Sequence, residues 1–133
     1  MYEAKDFSHL LGTEGFSDTL LNNHFKLYQG YVKNTNNAHE MMQGKEGSYE
    51  FGEIRRRFGW EWSGMRLHEL YFGNMSKEAK EPSADLKSAI ESDFGSWEAW
   101  KENFIATGAM RGIGWVLLYQ DTESTAIINR DKK

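Results

Sequence analysis

Two histidines, His24 and His68, stand in similar apolar surroundings and are the residues of this chain best suited to chemistry. Each lies among aromatic and aliphatic residues at the spacing of one helical face. Two such helices packed antiparallel would bring the imidazoles to one ion, and neutral imidazole binds manganese, iron, copper, zinc and nickel alike. A histidine on an apolar helix is, however, more often a core residue with a satisfied hydrogen bond, and two histidines are half a metal site. A metal-binding pair and two core histidines are therefore both open.

The composition of the chain excludes several other kinds of site. The sequence has 133 residues, no cysteine and a formal net charge of −4. Disulfides, thiolate zinc sites, iron–sulfur clusters and cysteine nucleophiles are excluded, so a metal would have nitrogen and oxygen ligands. The acidic balance argues against general nucleic-acid binding. No apolar run reaches the length of a membrane span and the N-terminus is not typical of a signal peptide, so we expect a cytoplasmic protein without membrane contact.

Two long predicted helices position the histidines. The first begins at Ser17 or Asp18, either of which could cap it, and its apolar face continues through Val32. A polar, glycine-bearing loop is predicted over 34–53, followed by a second helix over about 54–72. Neighbouring helices of this kind pack antiparallel, so an α-helical hairpin is expected.

The only proline, Pro82, marks a predicted boundary between an N-terminal helical hairpin domain, 1–80, and a C-terminal α+β domain, 81–133. The fold class is therefore α+β, a long antiparallel helical hairpin followed by a unit with a small antiparallel sheet. The elements predicted in the second domain are two short helices and then two β-strands, over 83–95, 96–110, 115–120 and 125–130.

Four segments carry a more specific pattern. In chain order they are "HFKLYQGYVKNTNN" (24–37), "MRLHELYFGNM" (65–75), "IESDFGSWEAWKENF" (90–104) and "GAMRGIGWVLLYQD" (108–121). Their order and spacing resemble the iron/manganese superoxide dismutase family over most of the chain. The most distinctive element is an acidic-Phe-Gly-Ser-aromatic helix start followed by Gly-x-Gly-Trp entering a strand.

The resemblance implies a helical hairpin domain joined to an α+β domain with a three-stranded sheet, and one iron or manganese ion between them. In that family each hairpin helix supplies one histidine ligand, and an Asp-x-x-x-His segment after the sheet supplies two more ligands. His68 matches the second-helix ligand through "HELYF". An ungapped match on "YVKNTNN" places Asn23 at the first-helix position, whereas a one-residue helical bulge gained or lost would place His24 there. We expect His24, with Asn23 as the alternative.

Other positions of the family pattern fall on Tyr31 and Trp115. Tyr31 matches the tyrosine that gates the substrate channel and takes part in proton delivery, and it lies two helical turns beyond His24 on the same face. A core tyrosine is the alternative for Tyr31. Trp115 matches the tryptophan that forms a wall of the site.

The resemblance leaves the choice between iron and manganese open. Gly64 lies one turn before His68, where iron-type members commonly carry Gln, and a Gly is more similar to manganese-type members. In those members the Gln comes from the sheet hairpin, where this chain offers Ile128 or Asn129. Asn129 could donate a hydrogen bond to a metal-bound water and so tune the redox potential.

No Asp-x-x-x-His segment is found, because no histidine follows His68. We therefore expect a shortened or rearranged relative, or one whose missing ligands come from another polypeptide. Conversion of superoxide to oxygen and hydrogen peroxide, with one Fe or Mn per chain in a homo-oligomer, is expected only if the site is completed. The alternative is a non-catalytic helical module for self-association, which an unpaired strand edge would favour. A simple metal or haem binder with two histidines and a carboxylate has no support beyond His24 and His68.

Overall fold

The chain combines four described helices with one small sheet. A computed structural model describes residues 1–132, the last three by backbone alone. The predicted α+β class, with its long antiparallel helical hairpin and small antiparallel sheet, is confirmed. In chain order the elements are a short 3-10 turn at Ser8–Leu10 and then α1 (Asp18–Met42), α2 (Tyr49–Gly73), α3 (Ala84–Phe94), α4 (Trp97–Ala109), β1 (Trp115–Gln120) and β2 (Ile127–Lys132).

The first hairpin helix, α1, is longer than its sequence predicted. The polar run after Val32 stays helical because Thr35, Ala38 and Met42 continue the buried stripe at spacings of three and four residues, while the polar side chains face outward. The loop predicted over 34–53 is therefore wrong in extent.

Hydroxyl caps fix where both hairpin helices begin. Ser17 caps α1 by accepting a hydrogen bond from the Leu20 backbone N–H, as one of the two predicted starts requires. Ser48 caps α2 in the same way through the Phe51 N–H, so α2 begins at Tyr49, five residues before the predicted start. The connection between the two helices is only residues 43–48.

The N-terminal arm, residues 1–15, contributes to the core of the hairpin. Phe7 lies with its ring centroid 4.9 Å from that of Phe72 on α2 and 5.6 Å from that of Tyr28 on α1. The backbone of the arm is irregular apart from the 3-10 turn. The buried core cluster consists of residues from the arm, α1 and α2, namely Phe7, Leu10, Leu21, Tyr28, Val32, Met65 and Phe72.

The chain divides into two compact units, Met1–Ala79 and Lys80–Lys133. The hairpin and its arm form the first unit, and α3, α4 and the sheet form the second. The domains predicted from the sequence, 1–80 and 81–133, stay a prediction about the organisation of the whole protein. Among the described residues, no helix has both the length and the apolar character needed to cross a membrane.

Serine caps and one glycine organise the helices of the second unit. Ser83 and Ser96 cap α3 and α4 through their side-chain oxygens, and Gly95 ends α3 at a φ of +85°. These are the boundaries that the sequence predicted. The buried side chains of this unit, among the described residues, are Ile90 on α3 and Ile127 on β2.

The sheet of the second unit is an antiparallel pair of strands. The register runs from Trp115 opposite Lys132 to Gln120 opposite Ile127. β2 begins two residues later than predicted because the turn is longer: the Asp121 carboxylate accepts hydrogen bonds from the backbone N–H groups of Glu123 and Ser124.

Replacing Phe72 tests the hairpin core. Phe72 is 1% exposed, so Phe72→Ala should lower the free energy of unfolding by about 3–5 kcal/mol, as expected for loss of a buried aromatic ring. Leu70→Ala is the matched control on the same helix, because Leu70 is 59% exposed, and should change it by about 0.5 kcal/mol or less. Urea unfolding followed by far-UV circular dichroism measures both. Equal losses in the two variants would contradict this assignment of the core.

Candidate metal centre

His24 of α1 and His68 of α2 face each other within the hairpin. Their ring centroids are 4.9 Å apart and the rings are nearly perpendicular, at 83°. His68 is 4% exposed and His24 is half-buried, whereas Asn23 is exposed. α1 is uninterrupted α-helix from Asp18 to Met42, so His24 reaches this position without a bulge in this chain. Metal binding by either histidine stays a prediction.

A hydrogen bond within α2 orients the ring of His68. Its Nδ1 lies 2.7 Å from the backbone oxygen of Gly64, one turn earlier. Because a carbonyl oxygen only accepts, Nδ1 carries the proton, and Nε2 of the neutral ring keeps the lone pair that a metal needs. Histidine ligands typically donate their other ring N–H in this way, which fixes both tautomer and orientation.

Both imidazoles favour the neutral form. Burial lowers the pKa of His24, and the neighbouring His68 lowers it further. Burial also lowers the pKa of His68, and the hydrogen bond to Gly64 opposes this shift in part. Neutral imidazole is the form that binds metals, so the surroundings favour the form that a ligand would need.

Tyr31 packs directly on the glycine that precedes His68 by one turn. The Tyr31 ring centroid is 5.2 Å from that of His68. A Cβ built on Gly64 would lie 2.5 Å from ring carbons Cδ1 and Cε1 of Tyr31. Gly64 thus has a packing reason, beyond its value as a marker of metal type: its missing side chain is the space that the Tyr31 ring occupies.

Further aromatic rings surround the histidine pair. Tyr71 and Phe72 lie with centroids 5.3 Å and 5.0 Å from that of His24, and Tyr28 lies 6.3 Å from His68. None of these three was predicted as a site residue. The signal was present, because Tyr71 and Phe72 follow His68 by three and four residues and so share its helical face.

The two site residues predicted in the second half of the chain belong to the second compact unit. Trp115 begins β1 and is half-buried. Asn129 lies on β2, where its Oδ1 accepts a hydrogen bond from Trp100 Nε1 (3.2 Å) and its Nδ2 donates to Asn103 Oδ1 (2.9 Å). The amide of Asn129 is thus engaged at both ends within its own unit. A role of Trp115 or Asn129 at a metal site stays a prediction.

The residues around His24 and His68 provide only part of the ligand set that a metal ion needs. Within residues 1–132, no group of three or more histidine, cysteine, aspartate or glutamate side chains gathers in a way that could hold a metal. The carboxylate next to His68 in sequence, Glu69, is engaged by Tyr28, Arg66 and Lys5 instead. The described residues therefore bring together two candidate imidazole ligands, and no carboxylate completes a set around them.

Comparison with known proteins decides the family. Residues 82–133 match the family model of the C-terminal domain of iron/manganese superoxide dismutases. A manganese superoxide dismutase of Haloferax mediterranei is 38% identical over 105 residues, which cover 75% of this chain and 72% of that protein. This chain belongs to the iron/manganese superoxide dismutase family.

This chain matches superoxide dismutases named for iron and others named for manganese. The iron superoxide dismutase of Aquifex pyrophilus is 31% identical over 137 residues, covering 95% of this chain and 64% of that protein. The mitochondrial manganese superoxide dismutase of Glossina morsitans morsitans is 36% identical over 102 residues, 74% of this chain and 47% of that protein. The chain thus spans about half the length of the Glossina relative, and the family does not by itself select one metal.

The contact between Tyr31 and Gly64 predicts the effect of one added methyl group. Gly64→Ala must displace the Tyr31 ring and should lower the free energy of unfolding by about 1–3 kcal/mol, as overpacking does. Gly59→Ala, on the same helix with open space around it, should raise it by about 0.5–1 kcal/mol through helix propensity. Urea denaturation of both variants gives the comparison. Stabilisation by Gly64→Ala would contradict the packing described.

The lowered pKa values of the histidines predict a pH dependence. Below the ordinary value of 6.5 and above the lowered folded-state pKa, the unfolded chain binds more protons than the folded chain. The free energy of unfolding of the metal-free protein should therefore rise with pH within this window and level off above about 6.5. His68→Gln should flatten the rise. A series of urea titrations between pH 5 and pH 8, about one unit apart, measures it; a fall in stability with rising pH would contradict the burial.

Proposed function

We propose that this chain contributes His24 and His68 as two ligands of a mononuclear iron or manganese site that converts superoxide to oxygen and hydrogen peroxide. The observation that supports it most is the meeting of the two rings, 4.9 Å apart, on facing helices of a family member. Both rings favour the neutral form, and the Nδ1 proton of His68 is held by Gly64.

The metal would supply one-electron redox chemistry, by which one superoxide is oxidised to oxygen and a second, with two protons, is reduced to hydrogen peroxide. The residues of this chain would hold, shield and orient. His24 and His68 bind through ring nitrogens, and Tyr71 and Phe72 exclude water from the His24 side because their rings pack against it.

Tyr31, Trp115 and Asn129 take the remaining roles in this proposal. Tyr31 stands beside His68 and is half-buried, so its hydroxyl is suited to pass a proton to the reduced substrate at the approach to the site. Trp115 would form a wall of the site, and Asn129 would tune the redox potential of the metal by hydrogen bonding. For this role the side-chain amide of Asn129 would have to make one more hydrogen bond in addition to those with Trp100 and Asn103.

The other ligands would come from outside the described residues, and the chain would work as a homo-oligomer. Iron and manganese both suit imidazole and carboxylate ligands, so the proposal covers either metal. Two imidazoles are too few to hold such an ion firmly, which makes completion of the site a condition for activity.

A non-catalytic association module is the second candidate function. Within the described residues β1 pairs with β2 alone, so each strand presents one edge without a partner strand. Such edges favour pairing with another chain. In this alternative the His24–His68 pair would be a feature of the inherited scaffold without a metal.

Metal analysis of the purified protein together with a superoxide consumption assay tests both candidates. We expect stoichiometric Fe or Mn and activity, both lost in His68→Ala and in His24→Ala. The loss of metal affinity should exceed the roughly 10–100-fold that removal of a ligand's hydrogen-bond partner costs. His39→Ala is the matched control, because His39 is an exposed histidine of the same helix as His24.

The remaining outcomes separate the alternatives. Loss of metal in Asn23→Ala but not in His24→Ala would favour the other register of the first-helix ligand. Metal content that both histidine variants leave unchanged would refute the proposed ligands. Absence of metal in the wild type, together with self-association by analytical ultracentrifugation that His68→Ala does not alter, would support the association module.

A further inference from the structure

Glu69, which follows His68 in the sequence, is a buried carboxylate held by three segments of the chain. It is 9% exposed. Its Oε2 accepts from Arg66 Nη1 of α2 (2.7 Å) and lies 3.2 Å from Nζ of Lys5 in the N-terminal arm. Its Oε1 accepts a hydrogen bond from the Tyr28 hydroxyl of α1 (3.1 Å). The carboxylate therefore joins the arm, α1 and α2 at one point.

The Tyr28 hydroxyl closes this network. It accepts a hydrogen bond from the Lys5 backbone N–H (3.0 Å) while it donates to Glu69, and Tyr28 itself is buried. Hydrogen bonds to a charged group contribute more to stability than those between neutral groups. Separating the arm, α1 or α2 here would leave a buried carboxylate or hydroxyl without its partners, which is costly.

A second attachment ties the arm to both helices further along. The Tyr2 backbone N–H donates to Asn36 Oδ1 of α1 (2.8 Å), and Asn36 Nδ2 donates to the Tyr2 backbone oxygen (2.9 Å). Trp62 Nε1 of α2 donates to the Tyr2 hydroxyl (3.3 Å). The arm thus crosses the hairpin and is attached to it at residues 2 and 5. We call residues 2–5, with these attachments, the strap, and the Glu69 network is its attachment at residue 5.

The network lies directly beside the histidine pair. Tyr28 follows His24 by one turn on the same face of α1, and Glu69 adjoins His68 on α2. The Tyr28 ring centroid is 6.3 Å from that of His68. The distance between the two imidazoles depends on the rotation and axial position of α1 relative to α2, and the Tyr28–Glu69 hydrogen bond joins the two helices next to the rings.

We propose that Glu69, together with Tyr28 and Lys5, positions the His24–His68 pair by locking α1 and α2 in the register that brings the two imidazoles together. None of the three is a catalytic residue, because each acts through the helix that carries a histidine. The consequence for metal binding rests on the proposed function, since ligands must be held within about 0.5 Å of the productive geometry.

A second buried carboxylate on α2 separates positioning from general stability. Glu61 is 2% exposed and accepts from Arg57 Nε (2.6 Å) on its own helix. Its link to α1 is the longer contact with Asn34 Nδ2, at 3.5 Å. Among the described residues, Glu61 has no hydrogen bond to the arm. Glu61→Gln therefore removes a comparable charge from the same helix without opening the Lys5–Tyr28–Glu69 network, which makes it the matched control.

Two readouts test the proposal on the full chain. In the metal-free protein labelled with isotopes at histidine, proton–proton contacts between the His24 and His68 rings by NMR report their separation. Affinity for Co²⁺, followed by ligand-field absorption, reports on use of the pair as ligands. Glu69→Gln and Tyr28→Phe should weaken the inter-ring contacts and lower Co²⁺ affinity by about 10–100-fold, whereas Glu61→Gln should preserve both. The outcomes are compared under conditions in which circular dichroism shows every variant folded.

Lys5→Met keeps the proposal testable if the Glu69 variant does not fold. The Lys5 side chain is largely exposed and its backbone N–H, which bonds Tyr28, is retained, so this variant should fold and show a smaller loss in both readouts. Unchanged inter-ring contacts in Glu69→Gln, Tyr28→Phe and Lys5→Met would overturn the proposal. Equal losses in Glu61→Gln would also overturn it, because the effect would then be general stability.

The same measurements distinguish failure of the inference from failure of the proposed function. A wild type that does not bind Co²⁺, but whose inter-ring contacts are lost in Glu69→Gln, would refute the metal ligands and support the positioning. A wild type that binds Co²⁺ with an affinity and inter-ring contacts that no network variant alters would refute the positioning alone.

Discussion

The packing of α1 against α2 in a single register is the constraint on which the candidate metal centre depends. His24 and His68 are far apart in the sequence, and their rings meet at 4.9 Å because both helices present their buried stripes to each other. A helical residue turns by about 100° per position, so a shift of one residue would carry either ring away from the other. Every later property of the pair, from its neutral charge state to its access by an ion, follows from this alignment.

Two features around the histidine pair are unfavourable for stability but suit a metal site. Gly64 in the middle of α2 lowers helix stability by about 1 kcal/mol relative to alanine, yet it provides the space that the Tyr31 ring fills. Burial disfavours the charged form of His24 and His68, and the neutral form that it favours is the one a metal ligand needs. Packing and electrostatics therefore point in the same direction at this place in the hairpin.

The strap and the sheet both depend on contacts with residues distant in the sequence. Tyr2 and Lys5 of the arm bond to both hairpin helices, and the partners of Lys5, the Tyr28 hydroxyl and the Glu69 carboxylate, are buried groups that need such bonds. The two-stranded sheet is a small element, and such sheets gain stability mainly from what packs on them. Residues 82–133, which include this sheet, match the C-terminal domain of the family.

The sequence by itself determined the family, the α+β class, the helix starts at Ser83 and Ser96 and the candidate ligand His68, because caps, glycine stops and motif spacing are local features. It placed the loop over 34–53 wrongly, since only packing shows that Thr35 and Met42 continue a buried stripe. Tertiary structure alone decided that His24, and not Asn23, faces His68, and that Glu69 joins three segments. Both depend on how two helices rotate against each other, which no short stretch of sequence encodes.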